Sequence, residues 1–325
     1  MVNNNSTAAG IVASQHDALL WWYGVSSAVS GAGVLSAVLL ICALLRHQPL
    51  REGAHLLVIG LLSLETVSAL PSFLFTTTIL TANLHHTLPV TCVLVQFSRH
   101  ILLTMLHWIA VALTLNRFVA ILLPHRYPHI SSRRATAFLV AVAGIIACLA
   151  TIPFVTDLLG YYAFSPLMGA CVLIHYSHPL YPVLISLSVN VPFCLQGVLY
   201  LCVVASIFRS WREQVRESSG RRRQRNIAVM LMGSFVWYVA CYCPLPIIAA
   251  HFPTIWIGRP LLFFWINSLT NFGAAGTPMI YIFLSSDYRR AVLRTLSAVL
   301  RRISGERLCA AALPTPRSTQ AGNTP

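Results

Sequence analysis

Glu65 is the single charged residue between positions 53 and 98. A charge at the centre of an apolar helix costs about 2.5–3.5 kcal/mol on insertion scales, so such a residue faces a polar interior and is functional by default. A buried glutamate can meet that cost by keeping its proton. Arg99 follows at the end of that run. Its guanidinium is a fixed fork of donors suited to carboxylate or phosphate. By itself it either snorkels, pairs with Asp157, or anchors an anionic ligand. His100 is its neighbour, and Asn267 and Asn271, one turn apart, share a helix face. His107 lies in the uncharged stretch 100–116, where a buried imidazole is expected to hydrogen-bond to a neighbouring helix. Arg117 ends that stretch, where its side chain can reach lipid headgroups. His85, His86, His175 and His178 fall in loops without further ligands, so they read as solvated side chains and no metal site is expected.

Composition sets the solvent around these groups. The 325-residue chain is 57% hydrophobic and 9% charged, against about 25% charged in soluble domains. A spanning helix needs roughly 20 apolar residues. Cutting the uncharged runs at their turn-rich breaks, residues 81–89 and 161–182, gives seven spans: 18–45, 55–80, 89–122, 135–158, 180–208, 225–251 and 260–284. The fold class is therefore an all-α membrane protein, a seven-helix bundle. All basic residues are arginine, 22 in number, and only Arg99 and Arg259 fall on the side opposite the other 20. The positive-inside rule then places the N-terminus outside and the C-terminus inside. The net charge of +14 is accounted for by anionic membrane lipid at the inner face and calls for no nucleic acid.

This orientation organises the ends of the chain. Residues 1–17 read as an extracellular tail without a signal-peptide n-region, in which Asn4 and Asn5 head overlapping glycosylation sequons. Residues 18–285 form the membrane domain. Residues 286–304 alternate apolar and arginine positions at helical spacing, as in an amphipathic helix on the inner leaflet. Residues 305–325 read as a disordered cytoplasmic tail, with Cys309 available for palmitoylation. Of nine cysteines, only Cys92 and Cys171 sit at the outer, oxidising side, which suggests one disulfide.

Ordered spacings carry a more specific signal. Cys92 precedes Arg117 by 25 residues, and Asn116-Arg117-Phe118 is followed by Pro124 and Tyr127. Pro192 and Tyr200 are eight apart; Cys241-Tyr242-Cys243-Pro244 kinks span 6; Thr277-Pro278-Met279-Ile280-Tyr281 ends span 7. This set resembles the rhodopsin-like (class A) G-protein-coupled receptors over essentially the whole membrane region. The resemblance implies a Cys92–Cys171 disulfide and an activation switch made of Glu65, Asn116, Arg117, Pro192, Tyr200, Tyr238, Cys241, Pro244, Thr277, Pro278 and Tyr281. It implies a ligand cavity lined by Arg99, His100, Leu103, Tyr242, Phe263, Asn267 and Asn271. The position of Arg99 holds an aspartate in amine receptors, so an arginine there points to an anionic ligand.

The departures are specific. Asn116 replaces the family's Asp, Tyr242 its span 6 Trp and Thr277 its Asn; Ala37 stands where span 1 carries an Asn, and span 4 lacks its Trp. The Asn116-Arg117 pair is similar to that of melatonin-type receptors and of invertebrate orphan receptors of the Moody/trapped-in-endoderm group. Asn116 can hydrogen-bond Arg117 but offers no carboxylate, and Gln224 stands where a second acid is common. Ionised partners make bonds roughly twice as strong as neutral ones, so the resting state is expected to be loosely held. The resemblance also implies sodium at Glu65, but Leu106, Gly273 and Ala274 are poor ligands for it, so a proton and a sodium ion both stay open there. The implied partners are a heterotrimeric G protein, an unknown extracellular ligand and membrane lipids at the plasma membrane, with no cofactor. A channel, transporter or non-signalling decoy receptor is the competing reading, although the first two call for more intramembrane charge or paired broken helices. No metalloprotease, aspartyl or Ser/His motif indicates an enzyme, and without lysine no retinal Schiff base can form.

Overall fold

The computed structural model describes residues 16–46, 54–81, 89–123, 125–165, 170–213, 232–252, 255 and 259–303. Asn4, Asn5, His85, His86, Gln224, Cys309 and both expected tails beyond residues 16 and 303 lie outside them. Seven long helices and a shorter eighth follow one another: α1 (His16–Arg46), α2 (Ala54–Thr81), α3 (Pro89–Leu122), α4 (Arg133–Val155), α5, α6, α7 (Pro260–Leu284) and α8 (Ser286–Ile303). α5 is built from Leu180–Ile185, a π turn at Ser186–Asn190 and Val191–Glu213. α6 runs over 232–242, breaks at Cys243 and resumes as Pro244–His251. A one-turn helix, Tyr127–Ile130, joins α3 to α4.

Lipid offers no hydrogen bonds, so the backbone must satisfy itself within each helix. Asp17–Arg46, Cys92–Leu122, Arg133–Val155, Leu180–Ser206 and Met232–Ala249 are long and apolar enough to cross a membrane, and α2 is apolar over His55–Ala69. α7 has the length, 25 residues, but gives five positions to Asn267, Ser268, Thr270, Asn271 and Thr277. The outside of the bundle is apolar, as a lipid-facing surface requires: Trp21, Leu35, Phe138, Leu149, Leu201 and Phe283 are all exposed.

The expected spans correspond to these helices, with three refinements. α4 starts at Arg133 rather than 135, because the Ser132 side chain caps it by accepting from the Ala135 N–H at 3.2 Å. It stops at Val155, three residues short of the expected 158, where Asp157 takes a positive φ of 60°. The expected break over 161–182 contains an antiparallel hairpin, β1 (Gly160–Ser165) with β2 (Ala170–His175), in the register Gly160↔His175 to Ser165↔Ala170. Gly160 has φ +155° and its Cα faces the Ile174 carbonyl of the partner strand, so the strand approach leaves no room for a side chain.

The π turn follows from Pro192. In that turn the Val191 N–H bonds to the Ser186 carbonyl; the next donor in the same pattern would be residue 192, and proline has no N–H. The Leu187 carbonyl left without it accepts from the Trp108 indole Nε1 of α3 at 3.1 Å. An imino acid in one helix thus makes a specific tie to another.

The main core joins Leu40 and Leu44 of α1, Leu57 and Leu62 of α2, and Leu106 and Ile109 of α3, all at most 1% exposed. α8 packs its Tyr288, Ala291, Val292 and Thr295 side against the bundle and leaves Arg289, Arg290, Arg294 and Arg301 exposed. α1 lies along α7 through Gly33, where a Cβ would come 2.5 Å from the Cα of Ala275. Above that contact the Trp22 indole donates to Ser268 Oγ at 2.7 Å. Backbone, not a flexible side chain, opposes Gly33. Gly33→Val should therefore cost at least the ~1–3 kcal/mol typical of overpacking, seen as a lower melting temperature and a smaller properly folded fraction in detergent, while Gly24→Val, with open space around it, should leave both unchanged.

Candidate functional site

At the hairpin end, the Cys92–Cys171 disulfide ties the start of α3 to β2, with the two Cα atoms 5.6 Å apart. Gln96, one turn along α3, donates to the Cys171 carbonyl at 2.6 Å. The hairpin also reaches inward. Tyr162 of β1 is buried, and its hydroxyl shares a 2.9 Å hydrogen bond with His100 Nδ1. Burial pushes that phenol up from its ordinary titration range, so it stays a neutral partner. The His100 ring stacks on Phe154 of α4.

Arg99 does not pair with Asp157. Asp157 instead accepts from Tyr176 at 2.8 Å, on the exposed side of the hairpin, and this bond pushes the Tyr176 phenol up. Arg99 Nη2 donates to Asn267 Oδ1 at 2.5 Å and to Thr270 Oγ1 at 3.2 Å, both on α7. Two expected cavity residues thus meet directly, and Thr270, three residues from Asn267 on the same face, joins them. The helical repeat could have identified Thr270; His100–Tyr162 lay beyond reach, since no local pattern says which loop residue folds inward.

The other expected cavity residues separate. Leu103 packs on the main core. Phe263 stands edge-on to Phe264, which packs on Trp22 of α1. Asn271 turns into a crevice between α1, α2 and α7 with Ser30, Thr66, Ser68 and Glu65. Tyr242 is buried lower down in an aromatic group with His107, Tyr238 and Phe193. There His107 Nδ1 and the Tyr238 hydroxyl share a short hydrogen bond, the interhelical bond expected of His107. Gly273 lets Tyr242 approach: a Cβ at that position would stand 2.7 Å from its ring.

Glu65 is 3% exposed, and its Oε2 has no hydrogen-bond partner among the described residues. A second cavity connects it to Gln196, Tyr200, Tyr238, Thr277 and Tyr281. Thr277, in the lining of the same cavity, donates its hydroxyl to the Gly273 carbonyl at 2.8 Å. Trp237 Nε1 donates to the same carbonyl at 3.1 Å. Leu106, Gly273 and Ala274 add no side-chain oxygen around the carboxyl, and the described residues hold no cluster of three or more His, Cys, Asp or Glu able to take a metal ion.

At the arginine-rich end, Arg117 has Tyr200 of α5, Tyr281 of α7 and Tyr288 of α8 within electrostatic range. Tyr200 and Tyr281 are the partners expected. The expected Asn116–Arg117 hydrogen bond is not formed: Asn116 is fully buried, and neither its Oδ1 nor its Nδ2 finds a partner. Adjacent residues on a helix point about 100° apart, which turns Asn116 into the core and Arg117 toward the bundle's end. Pro192 is at the π turn, Cys241 and Pro244 flank the break in α6, and Pro278 lies within α7.

Comparison with individual curated proteins gives no match. The model of the seven-transmembrane receptors of the rhodopsin family matches residues 36–281, from the middle of α1 to Tyr281. That match covers more than half of the chain, and the chain belongs to the rhodopsin family of seven-transmembrane receptors.

Proposed function

We propose that the protein is a plasma-membrane receptor that passes an extracellular signal to a heterotrimeric G protein, with the hairpin end outside and the arginine-rich end in the cytosol. Arg117 carries this reading: a cation at the end of α3 with no salt bridge among the described residues, within electrostatic range of tyrosines on α5, α7 and α8. Activation is a shift in population between two packings, biased by ligand at one end and G protein at the other. The break at Cys243 supplies the hinge about which the inner part of α6 moves outward.

The ligand is an anion, held at Arg99. Its guanidinium has only the neutral oxygens of Asn267 and Thr270, with no salt bridge to it among the described residues. A half-buried cation without a counter-charge favours a carboxylate or phosphate, which a planar fork of donors binds in two contacts.

Glu65 carries a proton rather than coordinating sodium. Its carboxyl is 3% exposed and Oε2 has no partner among the described residues, and a buried carboxyl without a counter-charge favours its neutral form.

Three outcomes test the reading. Ligand-free nucleotide exchange on a panel of G proteins should be measurable for wild type and abolished in Arg117→Ala, which keeps the helix and removes the cation. Silence of wild type on every G protein would favour a decoy receptor. In a screen of carboxylate and phosphate ligands, Arg99→Gln should weaken any active compound at least tenfold, the loss of one charge-assisted contact, and leave ligand-free signalling intact; equal potency on both would exclude the anchor. Glu65→Gln should keep wild-type surface level and signalling, and replacing sodium by choline should change neither protein; a sodium response that Glu65→Gln removes would show a cation site instead.

A further inference from the structure

The hairpin end of α4 carries a carboxylate outside the signalling machinery. Asp157 lies just past the helix and, with φ 60°, is the only non-glycine at positive φ among the described residues. The Leu158 N–H returns to the Pro153 carbonyl at 3.0 Å, a helix ending whose left-handed residue is usually glycine because a side chain is strained there. This chain keeps an acid at that point. Asp157 is exposed, and no salt bridge to it occurs among the described residues. Arg99, its expected partner, is taken up by Asn267 and Thr270.

Two aromatic rings adjoin the carboxylate. The Tyr176 hydroxyl donates to Asp157 Oδ1 at 2.8 Å and the Tyr176 N–H to the Leu159 carbonyl at 3.0 Å, so backbone and side chain both fix this ring at the end of α4. Tyr161 of β1 packs on Tyr176, with ring centroids 6.1 Å apart and planes tilted by 47°. Strand alternation turns Tyr161 outward. Tyr162 and Leu173 pair across the hairpin and pack with Phe154 and Leu159, so the next pair, Tyr161 and Ile174, takes the other face. Tyr161, Ile174 and Tyr176 are all exposed.

The level of this group relative to lipid follows from α4. Ile145, Leu149, Ile152 and Val155 are exposed along one side of the helix, while Ala143, Ala147, Ala150 and Phe154 are buried along the other. The exposed apolar stripe runs to within two residues of Asp157. Headgroups begin where hydrocarbon stops, and tyrosine is enriched at that boundary. The carboxylate and both rings therefore meet the headgroup layer.

Their chemistry selects among headgroups. A carboxylate and ring faces attract a cation, and ring faces are suited to a quaternary ammonium. An ammonium with N–H groups calls for an acceptor for each hydrogen, and one oxygen of Asp157 is already engaged by Tyr176. Choline has no N–H to satisfy.

We propose that Asp157, Tyr161 and Tyr176 form a site for the choline headgroup of a phospholipid, which seats the disulfide-bonded hairpin on the membrane surface. The receptor reading puts this surface in the outer leaflet, and the inference rests on that reading to this extent; its test reads lipid rather than signalling.

Purified receptor in detergent would be incubated with an equimolar mixture of phosphatidylcholine, phosphatidylethanolamine and phosphatidylglycerol of the same acyl chains, and its lipid adducts weighed by native mass spectrometry. Wild type should retain the choline lipid over the other two by about fivefold or more, the size of one exposed cation–ring contact. Asp157→Asn tolerates the left-handed turn and removes the charge; Tyr161→Leu and Tyr176→Leu each remove a ring. All three should bring the preference near parity, whereas Phe138→Leu, at the other end of the stripe, should leave it unchanged. The Cys92–Cys171 bond and the melting temperature report whether each variant is folded, and Asp157→Gly, the residue such a turn favours, supplies a second carboxylate-free form. Equal retention of the three lipids by wild type, or a preference unchanged in the Asp157 and tyrosine variants, would overturn the site. Soluble phosphocholine should leave the lipid in place, and its displacement of the lipid would show a soluble choline compound to be the occupant instead. A choline preference in a receptor silent on every G protein would uphold the site and count against the receptor reading alone.

Discussion

Every polar group in the bundle must find its partner inside the protein, because the lipid around it supplies none. An orphaned buried donor or acceptor costs about 1–3 kcal/mol, a sizeable part of a typical folding free energy. Polar side chains are therefore spent on fixing which helix lies beside which. Trp22 meets Ser268 across α1 and α7, Arg99 meets Asn267 across α3 and α7, His107 meets Tyr238 across α3 and α6, and Trp108 takes the Leu187 carbonyl across α3 and α5. Apolar packing makes the bundle compact but tolerates sliding; these bonds set its register.

Among the described residues the exceptions are Glu65 Oε2, both polar atoms of Asn116, Arg117 Nε, Thr136 Oγ1 and Gln196 Nε2. Glu65, Asn116 and Arg117 lie on the line from the middle of the bundle to its arginine-rich end. Unsatisfied groups are what a two-state element needs, since each has a bond to gain by moving. The hairpin end is the opposite case, with the disulfide, Gln96 and Tyr162 all holding the loop onto α3.

Much of this was legible in the residue pattern, for a physical reason: a membrane forces long apolar runs and one-sided arginine placement, and both are properties of the chain alone. The helix count, the bounds of α3 and α7, the break before Pro244 and the Cys92–Cys171 bond came through. What did not come through depends on azimuth and on partners distant in sequence. Asn267 and Asn271 share a helix face, yet one meets Arg99 and the other faces Glu65, because four residues on α7 also change depth by about 6 Å. Asn116 is adjacent to Arg117 in sequence and looks elsewhere in space. His55 carried no signal in the sequence, yet its Nδ1 shares a 2.8 Å hydrogen bond with the hydroxyl of Tyr288 on α8.

The π turn in α5 has a consequence for how the chain can vary. One extra residue in a turn rotates everything after it by about 100° relative to an uninterrupted α-helix. The Trp108 side of α5 and the Tyr200 side are therefore in phase only across that inserted residue. A deletion between Ser186 and Asn190 could straighten the helix at no cost in length or hydropathy, but it would swing Tyr200 out toward lipid. Descent by single-residue insertion or loss is thus closed to this segment, whereas its lipid-facing side chains remain free to drift.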